Sequence, residues 1–77
     1  MRETEQKILG EMLPKLETAL IAGDTKTTNA IFGRIGTLEL AESGRELYIR
    51  LNDLLFEEKT EKALELIANY KKEQPND

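Results

Sequence analysis

Apolar residues recur at intervals of three and four over most of this chain, and that spacing commits it to helices. Ile8, Leu9, Met12, Leu13, Leu16, Ala19 and Leu20 make one stripe, and Leu47, Leu51, Leu54 and Leu55 make another. Ala63, Leu66, Ile67 and Tyr70 make a third. Residues so spaced share one side of an α-helix, whereas a half-buried strand needs strict alternation. Valine and tryptophan are absent and aromatics are few, so little in the chain favours strands.

The breaks between stripes set the helix boundaries. The first helix is expected from Glu3 or Thr4 to about Ala22, with Pro14 inside it. A proline there loses its bond to residue i−4 and crowds that carbonyl. Residue i−4 is Gly10, which leaves room for a bend, and neither Met12 nor Leu13 can cap a fresh start. One helix kinked between Gly10 and Pro14 is therefore expected. Gly23 suits a helix C-terminus and Asp24 or Thr25 the next N-cap. The second helix, about Lys26 to Ile35, has weak propensity and presents Thr28, Ile31, Phe32 and Ile35; Gly36 closes it. Residues 37–42, TLELAE, read as a connector anchored by Leu38 and Leu40.

Ser43 followed by Glu46 fits a capping box, with the serine hydroxyl on the N3 amide and the glutamate reaching back. The third helix should start there and run towards Lys59, with Tyr48 at the edge of its stripe. In the fourth, Thr60 can cap, Glu61 opens, Lys71 and Lys72 close, and Pro75 stops the helix, an order that complements the helix dipole. Residues 75–77 are expected to form a disordered tail.

Residues 57–60, EEKT, contain neither glycine nor proline. Two readings follow. A turn explains why the apolar face of residues 63–70 does not continue the leucine face before it, because a new helix takes a new orientation. The alternative is three helices with residues 44–74 as one long helix, in which Ile49, Phe56, Ala63 and Tyr70 form a heptad-spaced seam. The turn is preferred. The fold class is then all-α: a small bundle of four helices arranged as two antiparallel hairpins in a single domain spanning 1–77.

The two halves correspond at an offset of 35 residues. Met12, Leu13 and Leu16 fall on Leu47, Tyr48 and Leu51, and Ala19, Leu20 and Ile21 on Leu54, Leu55 and Phe56. Thr25 falls on Thr60, and Ile31, Phe32 and Ile35 on Leu66, Ile67 and Tyr70. Stripes align easily between any amphipathic helices, but here the breaks align as well, as in a duplicated αα unit. With Leu51, Leu55, Ala63, Ile67 and Pro75 near the expected small and large positions, the second half loosely resembles a tetratricopeptide-type hairpin. Lys59 stands where such a hairpin has its turn glycine. The resemblance implies a helical hairpin and nothing about ligands.

Chemistry is poorly supplied. With no histidine, the commonest general base and metal ligand is missing, and with no cysteine there is no disulfide or thiolate site. No enzymatic activity, cofactor, metal or small-molecule ligand is expected. Glu57, Glu58, Glu61 and Glu65 could approach a divalent cation, but a solvated face explains them better. Gly33-Arg34-Ile35-Gly36 reads as a helix end rather than a phosphate loop, and Ser43 has no base to activate it.

Acids outnumber bases 15 to 11, for a net charge of −4. The bases are scattered, which disfavours nucleic acid and leaves a helix-turn-helix DNA binder as a remote alternative. No apolar run could span a bilayer and residues 1–7 have no apolar signal region, so the expected setting is cytoplasmic, with no membrane partner.

What remains is a set of apolar residues off the stripes. Ile49 and Phe56 lie two turns apart on the side of the third helix opposite its leucines, and Ile21 is the repeat counterpart of Phe56. With Asp53 and Glu57 beside them, they form a candidate interface. The expected function is a non-enzymatic protein-protein interaction module that associates with itself, the expected partner being a second copy (a homodimer) or another protein. The alternative is a small acidic inhibitor, of the immunity-protein, antitoxin or phage-regulator kind, that caps a basic protein target.

Overall fold

A computed structural model describes the backbone of residues 2–73 and the side chains of 5–73. These residues form four helices: α1 (Arg2–Ala22), α2 (Thr25–Ile35), α3 (Glu42–Phe56) and α4 (Thr60–Glu73). The tail expected at 75–77 lies outside the described residues.

Helix α1 runs through Pro14 as a single helix instead of restarting there. The Thr18 hydroxyl donates to the Pro14 carbonyl at 3.0 Å. Its stripe supplies much of the core, with Leu9, Leu13 and Leu16 fully enclosed. The α1–α2 joint follows the sequence closely. Gly23 takes φ +71°, and Asp24 caps α2 by accepting from the Thr27 N–H at 3.1 Å. The Thr27 hydroxyl donates to the same carboxylate at 2.6 Å. Both bonds favour the charged form, and they hold the Asp24 carboxyl below its ordinary value.

The α3–α4 joint is a turn, so the long-helix alternative is excluded. It repeats the first joint with the same bonds 35 residues on. At the first, Gly23 N–H donates to Leu20 C=O (3.1 Å) and Asp24 N–H to Ala19 C=O (2.9 Å). At the second, Glu58 N–H donates to Leu55 C=O (3.1 Å) and Lys59 N–H to Leu54 C=O (2.9 Å). This is the paired 6→1 and 5→2 pattern of a Schellman motif. The left-handed position, Gly23 in the first joint, is Glu58 at φ +61° in the second. The turn residue is thus Glu58, one before the Lys59 at which a turn glycine was sought. Glycine is favoured in that region because an L-residue crowds its Cβ against the backbone, so a glutamate there gives no turn signal in the sequence.

The start of α3 differs from expectation. The helix begins at Glu42 with Ala41 at the N-cap and no side-chain cap bond, so Ser43 and Glu46 do not form a capping box. Packing fixes the register instead. Gly44 is buried, and a Cβ there would lie 3.3 Å from Leu40 Cβ and 3.4 Å from Leu9 Cδ2. The first turn of α3 therefore presses its backbone against α1 and the connector, and Leu38 and Leu40 are half-buried there as anchors.

Gly36 caps α2 as expected, but with right-handed geometry, φ −65°. Glycine is needed there for space: a Cβ would sit 2.5 Å from the Tyr48 hydroxyl oxygen. The Tyr48 ring stacks on Phe32, with centroids 4.3 Å apart and planes 6° from parallel.

These contacts fix the helix order. Helix α1 packs on α2 and α4, α3 packs on α4, and the Phe32–Tyr48 stack joins α2 to α3. Lys71 reaches Glu17 at 2.7 Å and the Gln6 amide donates to the Tyr70 hydroxyl at 3.3 Å, both across α1–α4. The helices thus close a ring, with α1 diagonal to α3. Leu16, Ile35, Leu51, Ala63 and Ile67 meet inside it with almost no exposure. Fully burying a side chain of Leu or Ile size is worth about 1.5–3 kcal/mol. The likeness to a tetratricopeptide-type unit ends at the hairpin, because these hairpins close on each other rather than stack in series.

Candidate interaction surface

Helix α3 positions the surface. Gly44, Leu47 and Leu51 are buried and Leu54 and Leu55 half-buried, which pins one side of the helix to the bundle. The opposite side must then face out. Ile49 is 61% exposed and Phe56 87%. Lying seven residues apart, they form one ridge along the outer face.

The two flanks of the ridge differ. Arg50, Asp53 and Leu54 line a groove with Lys62, Glu65 and Leu66, so the Asp53 side is the α4 side. Glu57 is one turn beyond Asp53 on that flank and pairs with Lys59 at 3.1 Å, both about half-exposed. Phe56 lines a cleft of ≈ 600 Å³ between the two hairpin tips, opposite Thr25 and Asn29 of α2. The other flank is therefore the α2 side.

Four of the five sequence-derived interface residues, Ile49, Phe56, Asp53 and Glu57, share this outer face of α3. Ile21 does not join them. It is 74% exposed, but α1 sends Ala19 and Leu20 to the cleft. Ile21 instead follows Glu17 by one turn, on the flank of α1 that faces α4. Repeat equivalence with Phe56 does not make it a neighbour, because α1 and α3 sit diagonally.

Sequence reasoning missed Glu58, which lines the same cleft from its left-handed position. The signal available was the alignment of Glu58 with Gly23 at the 35-residue offset. It also missed Thr25 and Asn29, which face Phe56 only because α2 neighbours α3. Among the described residues, no three carboxylates converge as a metal site would require. No helix among them is long and apolar enough to cross a membrane. What the surface offers is an apolar ridge between charged flanks.

No known protein family matches the chain, and neither does any curated protein or solved structure compared with it.

Proposed function

We propose that this chain is a protein-binding module that associates with a second copy of itself through the outer face of α3. The observation that carries this reading is Phe56, 87% exposed on a helix whose other side is sealed into the core. Ile49, also exposed and two turns away, extends it into a ridge. Single exposed apolar residues are ordinary, but an aligned pair rimmed by polar groups has the make-up of a contact site. A chain this short buries only about 60% of its unfolded surface on folding, so association adds burial the monomer cannot reach. Sedimentation equilibrium over micromolar concentrations tests the proposal. A mass near twice the 8.8 kDa of one chain is expected. A monomer throughout that range refutes it.

A further inference from the structure

The cleft between the hairpin tips has a chemistry of its own. Leu20 and Thr28 are buried and Leu55 half-buried, so they make its floor. Thr25, Asn29, Phe56, Glu58 and Thr60 are exposed and make its rim. Its ≈ 600 Å³ is within the span of small-ligand sites, about 300–1,000 Å³. Every polar side chain lining it can accept a hydrogen bond: three threonine hydroxyls, the Asn29 amide oxygen and the Glu58 carboxylate. None of them carries a positive charge. Lys59 lies between Glu58 and Thr60 in the chain, but its ammonium is held by Glu57 at 3.1 Å. Neither it nor Lys26 lines the cleft. Glu58 makes no ion pair among the described residues.

Phe56 stands beside that carboxylate with its ring open: the side chain is 87% exposed and stacks on no other ring among the described residues. An open aromatic face next to an unpaired carboxylate is what a planar cation needs. The negative face of the ring attracts the charge, and the two carboxylate oxygens take paired N–H groups. A guanidinium carries five donors and no acceptor, which suits a rim of acceptors, and its plane can stack where an ammonium cannot. The backbone points the same way. Glu58 holds φ +61° at the place where the first joint has Gly23. Glycine at 58 would keep the turn at lower cost but remove the one charge lining the cleft.

We infer that the cleft receives an arginine side chain of a partner protein, its guanidinium lying on the Phe56 ring and donating to Glu58, with the threonine hydroxyls around it. This goes beyond the self-association proposed above and does not rest on it, because one chain carries the whole cleft.

The test titrates isotope-labelled protein with N-acetyl-arginine amide and follows the backbone amide shifts by NMR. The amides of Thr25, Asn29, Glu58 and Thr60 should move and saturate. N-acetyl-lysine amide should bind several-fold more weakly, and N-acetyl-citrulline amide, equal in shape but uncharged, should give no saturable shift. Glu58→Gln should weaken arginine binding roughly tenfold. Phe56→Leu should weaken it roughly twofold to fivefold. Glu11→Gln removes the same charge from an exposed site on α1 and should change nothing. Glu58→Gly should keep the turn, with helicity unchanged by circular dichroism, and lose the binding. Lysine or citrulline binding as tightly as arginine, shifts that miss the cleft, or a Glu58→Gly variant that binds like wild type would overturn the inference. A protein that is monomeric by sedimentation and still binds the arginine probe supports it and overturns self-association alone.

Discussion

Glu58 and Gly23 hold the same place in two joints with the same hydrogen bonds, so exchanging their residue types should have opposite effects. The left-handed conformation costs an L-residue roughly 1–2 kcal/mol. Glycine avoids that cost but loses about 0.5–1 kcal/mol more backbone entropy on folding. Glu58→Gly should therefore stabilise the protein by about 0.5–1 kcal/mol. Gly23→Ala should destabilise it by about 1 kcal/mol. No atom comes within 4 Å of a Cβ at Gly23, so its backbone angle of +71° is the whole effect. Urea unfolding followed by circular dichroism measures both. With a slope of about 1 kcal/mol per molar for a chain this small, the midpoints should move by roughly 0.5–1 M in opposite directions. A Glu58→Gly variant no more stable than wild type refutes the reasoning, because the carboxylate would then be supplying what the backbone loses. A Gly23→Ala variant with an unchanged midpoint refutes it equally.

Leu51→Ala removes a side chain 1% exposed at the ring's centre and should cost about 2–5 kcal/mol, enough to leave so small a domain largely unfolded by circular dichroism. Gly36→Ala should cost about 1–3 kcal/mol by pushing Tyr48 off Phe32. Tyr48→Phe removes the nearest clashing atom, so a double-mutant cycle in urea should show the pair less destabilised than the sum of the singles. Asp24→Ala should lower the melting temperature at neutral pH. Because the folded carboxyl titrates below its ordinary 3.8, its contribution is complete above that value and fades as pH falls through the folded pKa. The gap between wild type and variant should narrow only in acid, and a gap constant down to pH 2 would contradict the assignment.

Local features of this fold could be read from the sequence, and those set by packing could not. The span of α1, the Asp24 cap, the Gly23 C-terminus and the buried faces all follow from spacing and capping chemistry within a few residues. The start of α3 was misread because Ser43 and Glu46 satisfy a local rule, while the close approach of Gly44 to Leu9 that overrides it joins residues 35 apart. The role of Gly36 was hidden for the same reason: its neighbour is Tyr48, on another helix. At residues 57–60 the jump in apolar face gave the turn away, but a glutamate in the left-handed position did not. The candidate surface divides along the same line. Ile49 and Phe56 were legible as residues off their own stripe. The separation of Ile21 from them depends on which helices are neighbours, and that is decided by the Phe32–Tyr48 stack and the α1–α4 contacts.

On the proposed reading, the outer face of α3 serves association and not folding. Phe56→Glu tests it most directly, with sedimentation mass measured at micromolar concentration and urea unfolding measured over a dilution series. The mass should fall from dimer to monomer, while the unfolding free energy, compared at a dilution at which wild type is also monomeric, should stay within about 0.5 kcal/mol of wild type. A dimer that survives the substitution unchanged, or a protein that unfolds because of it, would contradict the claim.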